Sequence, residues 1–376
     1  MAGALLSKNT QENEVSSVSS SNLPPLIDID CNLLHKDLVQ LSIYGVAGIS
    51  STAENDNCTN NKAKVQNNIF DILCHPSTKE ANIRAVFSPS SSILESQRSL
   101  QALSTYASNN FNCKDAFVVD VKTSVGVHPY HSQEDGTPDD VKLATLQTLI
   151  EQGLQSKVVS SVGECGLDYS PSFPAKEYQI PWFKAQLELA YKYSLPLFIH
   201  ERLAFQDTTK CIDDARKQHP DQNEPRIVIH CFTGTREECQ GYISRGYFIG
   251  ITGYILKDGD GPVEVTSILS EGVIPLDKLM IETDAPYMGF PNCRDLYLKY
   301  EPEALVGLIG KARKRIVKSI SPNVPSSLPM VLKAVVNALN KGRQERDEEL
   351  LSEEHVGTLC TRNAIDFFGF RPVIED

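Results

Sequence analysis

Four apolar runs in this 376-residue chain end on side chains that buried strands seldom carry. The run Val158 to Val162 leads through Gly163 into Glu164, and Pro196 to Ile199 stops at His200. Ile227 to Ile229 stops at His230, and Leu279 to Ile281 runs into Glu282, Thr283 and Asp284. Unpaired buried carboxylates are costly, so Glu164 and its neighbour Asp168 must either pair with a positive group or hold a cation. Strand side chains alternate, which places Val162, Glu164 and Gly166 on one face. By the same rule Phe198 goes with His200, Val228 with His230, and Met280 with Glu282 and Asp284. A parallel barrel gathers such tips, because the C-terminal ends of its strands converge on one mouth.

The rest of the chain supplies the units such a barrel needs. Leu26–Asp30, Ile83–Phe87, Val121–Val127 and Tyr247–Ile251 complete a set of eight predicted strands. Helical spacing appears between them over 94–108, 141–155, 178–193, 207–218, 236–245 and 263–271. Three closing helices are expected over 302–317, 330–341 and 348–358. Strand–helix alternation of this kind predicts the α/β class and a TIM (β/α)8 barrel, one domain spanning 24–372. Residues 1–23 are rich in Ser, Asn, Gln and Glu and read as a disordered tail. The polar, Asn-rich stretch 50–68 reads as a surface insertion in the first βα unit.

Composition narrows the function classes. A net charge of −12 and a pI near 5.2 argue against a general nucleic-acid coat, which needs a broad basic face. They leave room for an enzyme with a local basic groove. The ten cysteines form no C-x-x-C pair and read as reduced thiols in an intracellular protein, cytoplasmic with the nucleus as the other compartment open to it. No run approaches the roughly 18 apolar residues of a membrane span, and Met1 to Ser7 lacks the layout of a secretion signal. A monomer with no membrane contact is expected. Lys311 to Lys318 is a basic stretch with two readings, a solvated helix face or a phosphate-backbone contact.

Carboxylates mixed with imidazoles suit Zn²⁺, Mn²⁺ or Mg²⁺. Two such ions ~4 Å apart, sharing one carboxylate, clamp an in-line displacement at phosphorus and make hydroxide available near neutral pH. His128 and Arg202 stand at the tips of strands three and five, where an arginine can grip a phosphate in bidentate fashion. Each residue also has a plainer reading. A lone strand-end His is commonly a packed, hydrogen-bonded side chain. Asp284 before Ala285 and Pro286 is a good helix start. Glu282 reads equally as a partner of a ligand or as a structural carboxylate. The specificity lies in the set of four on independent tips.

Longer motifs carry a family resemblance. Val125-Gly126-Val127-His128-Pro129, Gly163-Glu164-Cys165-Gly166-Leu167-Asp168-Tyr169, Pro196 to His200 with Arg202, His230-Cys231-Phe232-Thr233-Gly234-Thr235 and Ile281-Glu282-Thr283-Asp284-Ala285-Pro286-Tyr287 closely resemble the TatD deoxyribonuclease family. So do Gly250-Ile251-Thr252-Gly253 and Arg362-Asn363-Ala364, and the resemblance covers about residues 26 to 370. It implies a metal-dependent TIM barrel that hydrolyses DNA phosphodiesters, as a 3′→5′ exonuclease acting on single strands or ends with two divalent ions, Mg²⁺ foremost and Mn²⁺ or Zn²⁺ as the others. Carried over, Glu164 bridges two metals and His200 and His230 hold one. Asp284 holds the other and contacts the nucleophilic water, and His128 and Arg202 touch the phosphate. Glu164 and Asp284 are thus the implied catalytic pair.

One departure bears on the ions. Where many relatives open with His-x-His, this chain has Asp30-Cys31-Asn32, a pattern whose Asn also occurs in a subgroup of the family. The loss of two imidazoles favours oxygen-rich coordination and a hard ion such as Mg²⁺, and leaves open whether Asp30 or Asn32 takes the vacant role. The stretch Pro322 to Pro329 also lacks an arginine found in relatives. Two other functions compete. One is ester or amide cleavage, as an esterase or deacylase on an aminoacyl-RNA or small substrate. The other is a non-catalytic scaffold, which has no physical need for four converging ligands.

Overall fold

The β-branched and apolar runs form eight strands: β1 Leu26–Asp28, β2 Ile83–Ser88, β3 Asp120–Val125, β4 Val159–Asp168, β5 Leu197–Arg202, β6 Ile227–Ile229, β7 Phe248–Ile251 and β8 Leu279–Ile281. The structure is a computed structural model that describes residues 23–38, 69, 71–110, 117–301 and 320–371. The tail expected up to residue 23, apart from Leu23 itself, the insertion at 50–68, the helix expected at 302–317 and the basic stretch at 311–318 lie outside the described residues.

All neighbouring strands pair in parallel and in chain order. The seam between β8 and β1 is stitched just beyond the strand ends. Asp284 N–H donates to Asp30 O at 2.8 Å, Asn32 N–H donates to Ala285 O at 2.8 Å, and Cys31 bridges Ala285. The buried Asp28 carboxylate reinforces the seam, accepting from Thr283 N at 2.8 Å and from the Thr283 hydroxyl at 2.5 Å. The result is the nearly closed (β/α)8 barrel that the alternation predicts.

Ten helices are described: α1 Pro76–Glu80, α2 Ile93–Asn110, α3 Asp140–Gln155, α4 Lys176–Tyr193, α5 Phe205–Gln218, α6 Arg236–Ser244, α7 Asp260–Ser270, α8 Asp295–Tyr300, α9 Leu328–Glu345 and α10 Glu353–Phe368. Capping explains several ends. Asp139 accepts from Lys142 N at the start of α3, and Thr235 and Glu238 form a reciprocal capping box on α6. The last helix differs from the expected 348–358. Ser352 caps it through His355 N, Glu353 and Glu354 fill its first turn, and Gly369 at φ +67° stops it a full ten residues later. The third strand ends at Val125 rather than Val127, short of His128.

The core has two layers. Ile27, Ile29, Ala85, Phe87, Phe198, Val228 and Met280 cluster with Phe367 and Phe368 from the end of α10 and with Phe370 just beyond it. These residues come from strands on opposite sides of the barrel, so they meet only in its lumen. The phenylalanines of α10 plug that lumen; the Phe368 ring lies 4.3 Å from Phe87 and 6.2 Å from Phe198. One layer above, Phe198 stacks on His230 at 4.6 Å, so the packed floor supports the polar mouth. A second, larger layer lies outside the strands, where Val162, Cys165 and Leu167 of β4 meet Phe183 and Leu187 of α4. The eight described cysteines are free thiols, seven of them buried. Among the described residues no helix is long and apolar enough to cross a membrane.

Phe368→Ala empties the plug, and truncation of a buried phenylalanine costs about 3–5 kcal/mol. Thermal unfolding is therefore expected at a clearly lower midpoint, and an unchanged midpoint would contradict the lumen packing described here.

Candidate metal centre

The geometry of the mouth begins with two glycines. Gly163 and Gly166 adopt φ +137° and +136°, a region open to glycine but strained for other residues. A Cβ on Gly166 would sit 1.9 Å from His200 O, and one on Gly163 would sit 2.4 Å from Phe198 O. Without those side chains β4 lies directly against β5, and its register shifts between Val162 and Cys165. That irregular segment carries Glu164 into the reach of His200.

One oxygen of Glu164, Oε1, is surrounded by three imidazoles: His230 Nε2 at 2.7 Å, His128 Nε2 at 3.2 Å and His200 Nδ1 at 3.3 Å. The far nitrogens are anchored in different ways. His200 Nε2 lies 2.9 Å from Asp168 Oδ2, and Asp168 is itself fixed by Ser170 N at 2.7 Å. His128 Nδ1 accepts from Tyr130 N at 3.1 Å, which leaves its Nε2 to carry the proton toward Glu164. His230 Nδ1 stands 3.1 Å from Asp30 Oδ2, yet the angles fail for a hydrogen bond. Both atoms are buried without a hydrogen-bond partner among the described residues, as is Glu282 Oε2. Glu282 Oε1 accepts from Cys231 N. Asn32 Nδ2 lies 3.2 Å from Asp30 Oδ1 and 3.4 Å from Asp284 Oδ1.

The electrostatics follow from burial and crowding. Burial alone would raise the Glu164 carboxyl, but the His128 and His230 imidazoles overcome it and hold Glu164 well below the usual range. Burial opposes charge on His230 and His200 as well. Glu164 nonetheless lifts His230 well above its ordinary value, and Asp168 with Glu164 raises His200. For the other acids burial and like charge outweigh the pull of His230. Burial, with Asp284 adding like charge, raises Asp30 well above its usual value. It pushes Asp28 to about 7, Asp284 to about 6 and Glu282 to about 8. Six carboxyl groups, Glu164, Asp168, Asp28, Asp30, Glu282 and Asp284, crowd a mouth that offers three imidazoles, an arrangement that a divalent cation would neutralise.

Two sets of ligand atoms lie within 4.8 Å of one another: His128 with Glu164 and His200, and Asp30 with Glu164 and His230. The orphaned Asp30 Oδ2 and His230 Nδ1, together with this mixed oxygen and nitrogen donor set, fit a pair of divalent ions that share Glu164.

Glu164, His200 and His230 thus meet at one point. Asp284 is buried at φ +51° on the same mouth and feels Glu164, His200 and His230 electrostatically, though it belongs to neither close set. His128, expected at the phosphate, stands within ligand distance of Glu164. Arg202 is exposed at the tip of β5, where its backbone O accepts from Tyr169 N at 3.0 Å. Sequence reasoning left Asp30 open and overlooked Asp28. The available signal was the spacing of Asp28, Asp30 and Asn32, three polar residues at every second position of a run that is otherwise buried.

Residues 58–369 match the family model described as TatD related DNase. Over 166 residues the chain is 39% identical to a protein of Escherichia fergusonii named 3′-5′ ssDNA/RNA exonuclease TatD, a match covering 44% of this chain and 58% of that one. It therefore spans little more than half of that relative. A protein of the same name from Erwinia tasmaniensis is 36% identical over 210 residues, 56% of this chain and 71% of the relative. Among solved structures, a hydrolase TatD family protein from Entamoeba histolytica superposes with a TM-score of 0.64 at 22% identity, covering 93% of this chain and 99% of that one. A TatD homolog from Escherichia coli gives 0.58 at 19% identity, covering 92% and 98%. At these identities the structural likeness concerns the barrel fold.

Two substitutions separate the parts of this geometry. Gly166→Ala drives a Cβ into the His200 carbonyl, so both the thermal midpoint and the rise in midpoint on adding Mn²⁺ are expected to fall. Asp168→Asn keeps the shape but weakens the anchor of His200, and loss of such a supporting carboxylate typically costs about 10–100-fold in metal affinity. Titration calorimetry with Mn²⁺ checks this, and an unchanged affinity would remove Asp168 from the account.

Proposed function

Because the chain belongs to the TatD related DNase family, we propose that it is a metal-dependent nuclease that hydrolyses DNA phosphodiester bonds from the 3′ end of a single strand. The observation that carries this is the single Glu164 oxygen shared by three imidazoles, beside Asp30 Oδ2, His230 Nδ1 and Glu282 Oε2, which are buried without a hydrogen-bond partner among the described residues. The relatives named as exonucleases favour a phosphodiester over an aminoacyl ester as substrate.

In this reading His128, Glu164 and His200 would hold one divalent ion, and Asp30, Glu164 and His230 would hold a second. When bound, divalent cations lower the pKa of water and stabilise negative charge on a reacting phosphoryl group. The carboxylates at the mouth outnumber the imidazoles, which favours Mg²⁺, with Mn²⁺ able to substitute. Asp168 holds the His200 ring in place, and the Asp28–Thr283 contacts fix the loop that carries Asp284. Asp284, on the same mouth, would orient the attacking water and take up its proton. Arg202, on the exposed tip of β5, clamps the phosphate from outside. The attacking oxygen forms a new bond to phosphorus as the bond to the 3′ oxygen of the preceding nucleotide breaks. That oxygen stays on the shortened strand and takes a proton from bulk water to become its new 3′ hydroxyl, and a 5′-mononucleotide is released.

The test uses a single-stranded oligonucleotide labelled at its 3′ end, with Mg²⁺ present. Chelation should stop nucleotide release and Mg²⁺ should restore it. Glu164→Ala should lose activity on the order of 10³-fold, the scale set by removing preorganised charge stabilisation, while circular dichroism stays native. Wild-type turnover in that variant would rule out the shared-carboxylate mechanism.

A further inference from the structure

The rim beside the metal centre carries exposed aromatic surface that the hydrolytic roles above do not use. Tyr130 follows His128 in the short turn Pro129–His131 and is 56% exposed. Phe173, in the loop between β4 and α4, lies nearly parallel to the His200 ring at 18°, with centroids 5.9 Å apart. Tyr130 meets Phe173 edge-on at 5.7 Å and 81°. The two rings form a step, one flat over a ligand imidazole and one upright beside it. A cleft of about 430 Å³ opens between them, lined also by Gln133, Glu134, Ser172 and Pro174.

Both rings are tied to the centre. Tyr130 N–H donates to His128 Nδ1 at 3.1 Å, and Phe173 N–H donates to Ser170 O at 3.0 Å in the loop that Asp168 organises. The rim continues on the neighbouring tip of β5 with Leu203, which is 69% exposed at φ +55°. The buried Glu201 carboxylate enforces that strained turn by accepting from Ala204 N and from the Tyr242 hydroxyl, each at 2.8 Å. Exposed apolar groups held this firmly next to a polar centre mark a contact surface rather than loose loop.

A net charge of −12 argues against a broad basic face as the source of affinity beyond the phosphate at the metal centre. Stacking can supply such affinity, since every nucleobase has a π-face. We infer that Tyr130 and Phe173 form a stacking platform for the base of the nucleotide whose phosphate enters the metal centre. The inference rests on the nuclease reading, and it adds the residues that would hold the terminal base and so require it to be unpaired. A base held in a duplex is stacked on its neighbour and cannot enter the step.

The experiment compares oligonucleotides that carry either thymine or an abasic residue at the 3′ terminus. Wild type should show a KM about tenfold or more lower for the base-bearing strand, within the range of base–aromatic stacking. In Tyr130→Ala and Phe173→Leu that ratio should collapse toward one, while Tyr130→Phe should keep it. Equal discrimination by wild type and Tyr130→Ala would overturn the platform, as would an equal loss on both substrates. Should wild type release no nucleotides at all, the nuclease reading fails separately. Binding of a strand with 2-aminopurine at its 3′ end then decides the platform. Quenching on wild type that is lost in Tyr130→Ala supports it, and no difference between the two overturns it.

Discussion

Glu164 Oε1 lies within 3.3 Å of three imidazole nitrogens, and the arrangement of the mouth follows from that contact. A buried carboxylate is costly alone, yet here three rings drawn from three other strand tips offset its burial. The same crowding leaves Asp28, Asp30, Glu282 and Asp284 short of positive partners, and burial raises each of them. Protein groups alone therefore leave part of the site's negative charge unbalanced, which bound cations would offset. The orphaned Asp30 Oδ2, His230 Nδ1 and Glu282 Oε2 are the structural trace of that imbalance.

The fold makes the contact possible through close approach rather than through any single strong bond. Glycines at 163 and 166 let β4 lie against β5, and the phenylalanines of α10 fill the lumen beneath the histidines. At the seam, one buried carboxylate, Asp28, holds Thr283 through both its backbone and its hydroxyl, and so places Asp284 beside the site. Barrel closure and the site thus share residues: those that join β8 to β1 also carry two of the acids at the mouth.

Much of this was legible in the residues themselves. The alternation of Phe198 with His200, Val228 with His230 and Met280 with Glu282 identified the inward face, and Phe198, Val228 and Met280 do line the lumen. Eight strands in chain order followed from the alternation of runs. What escaped the one-dimensional reading depends on contacts between distant elements. His128 stands past the end of β3, so its reach to Glu164 depends on a turn that strand periodicity does not describe. Asp28 looked like an ordinary strand residue, because its partner Thr283 is 255 positions away. The start of α10 was misplaced because an acidic stretch, Glu348 to Glu354, mimics a helix opening, whereas the cap is Ser352.

The claim that Glu164 is shared between two cation sites is tested most directly by anomalous scattering from crystals soaked in Mn²⁺. The account predicts two peaks, one against Glu164, His128 and His200 and one against Glu164, Asp30 and His230. Peaks elsewhere, or no ordered manganese at Glu164, would contradict it.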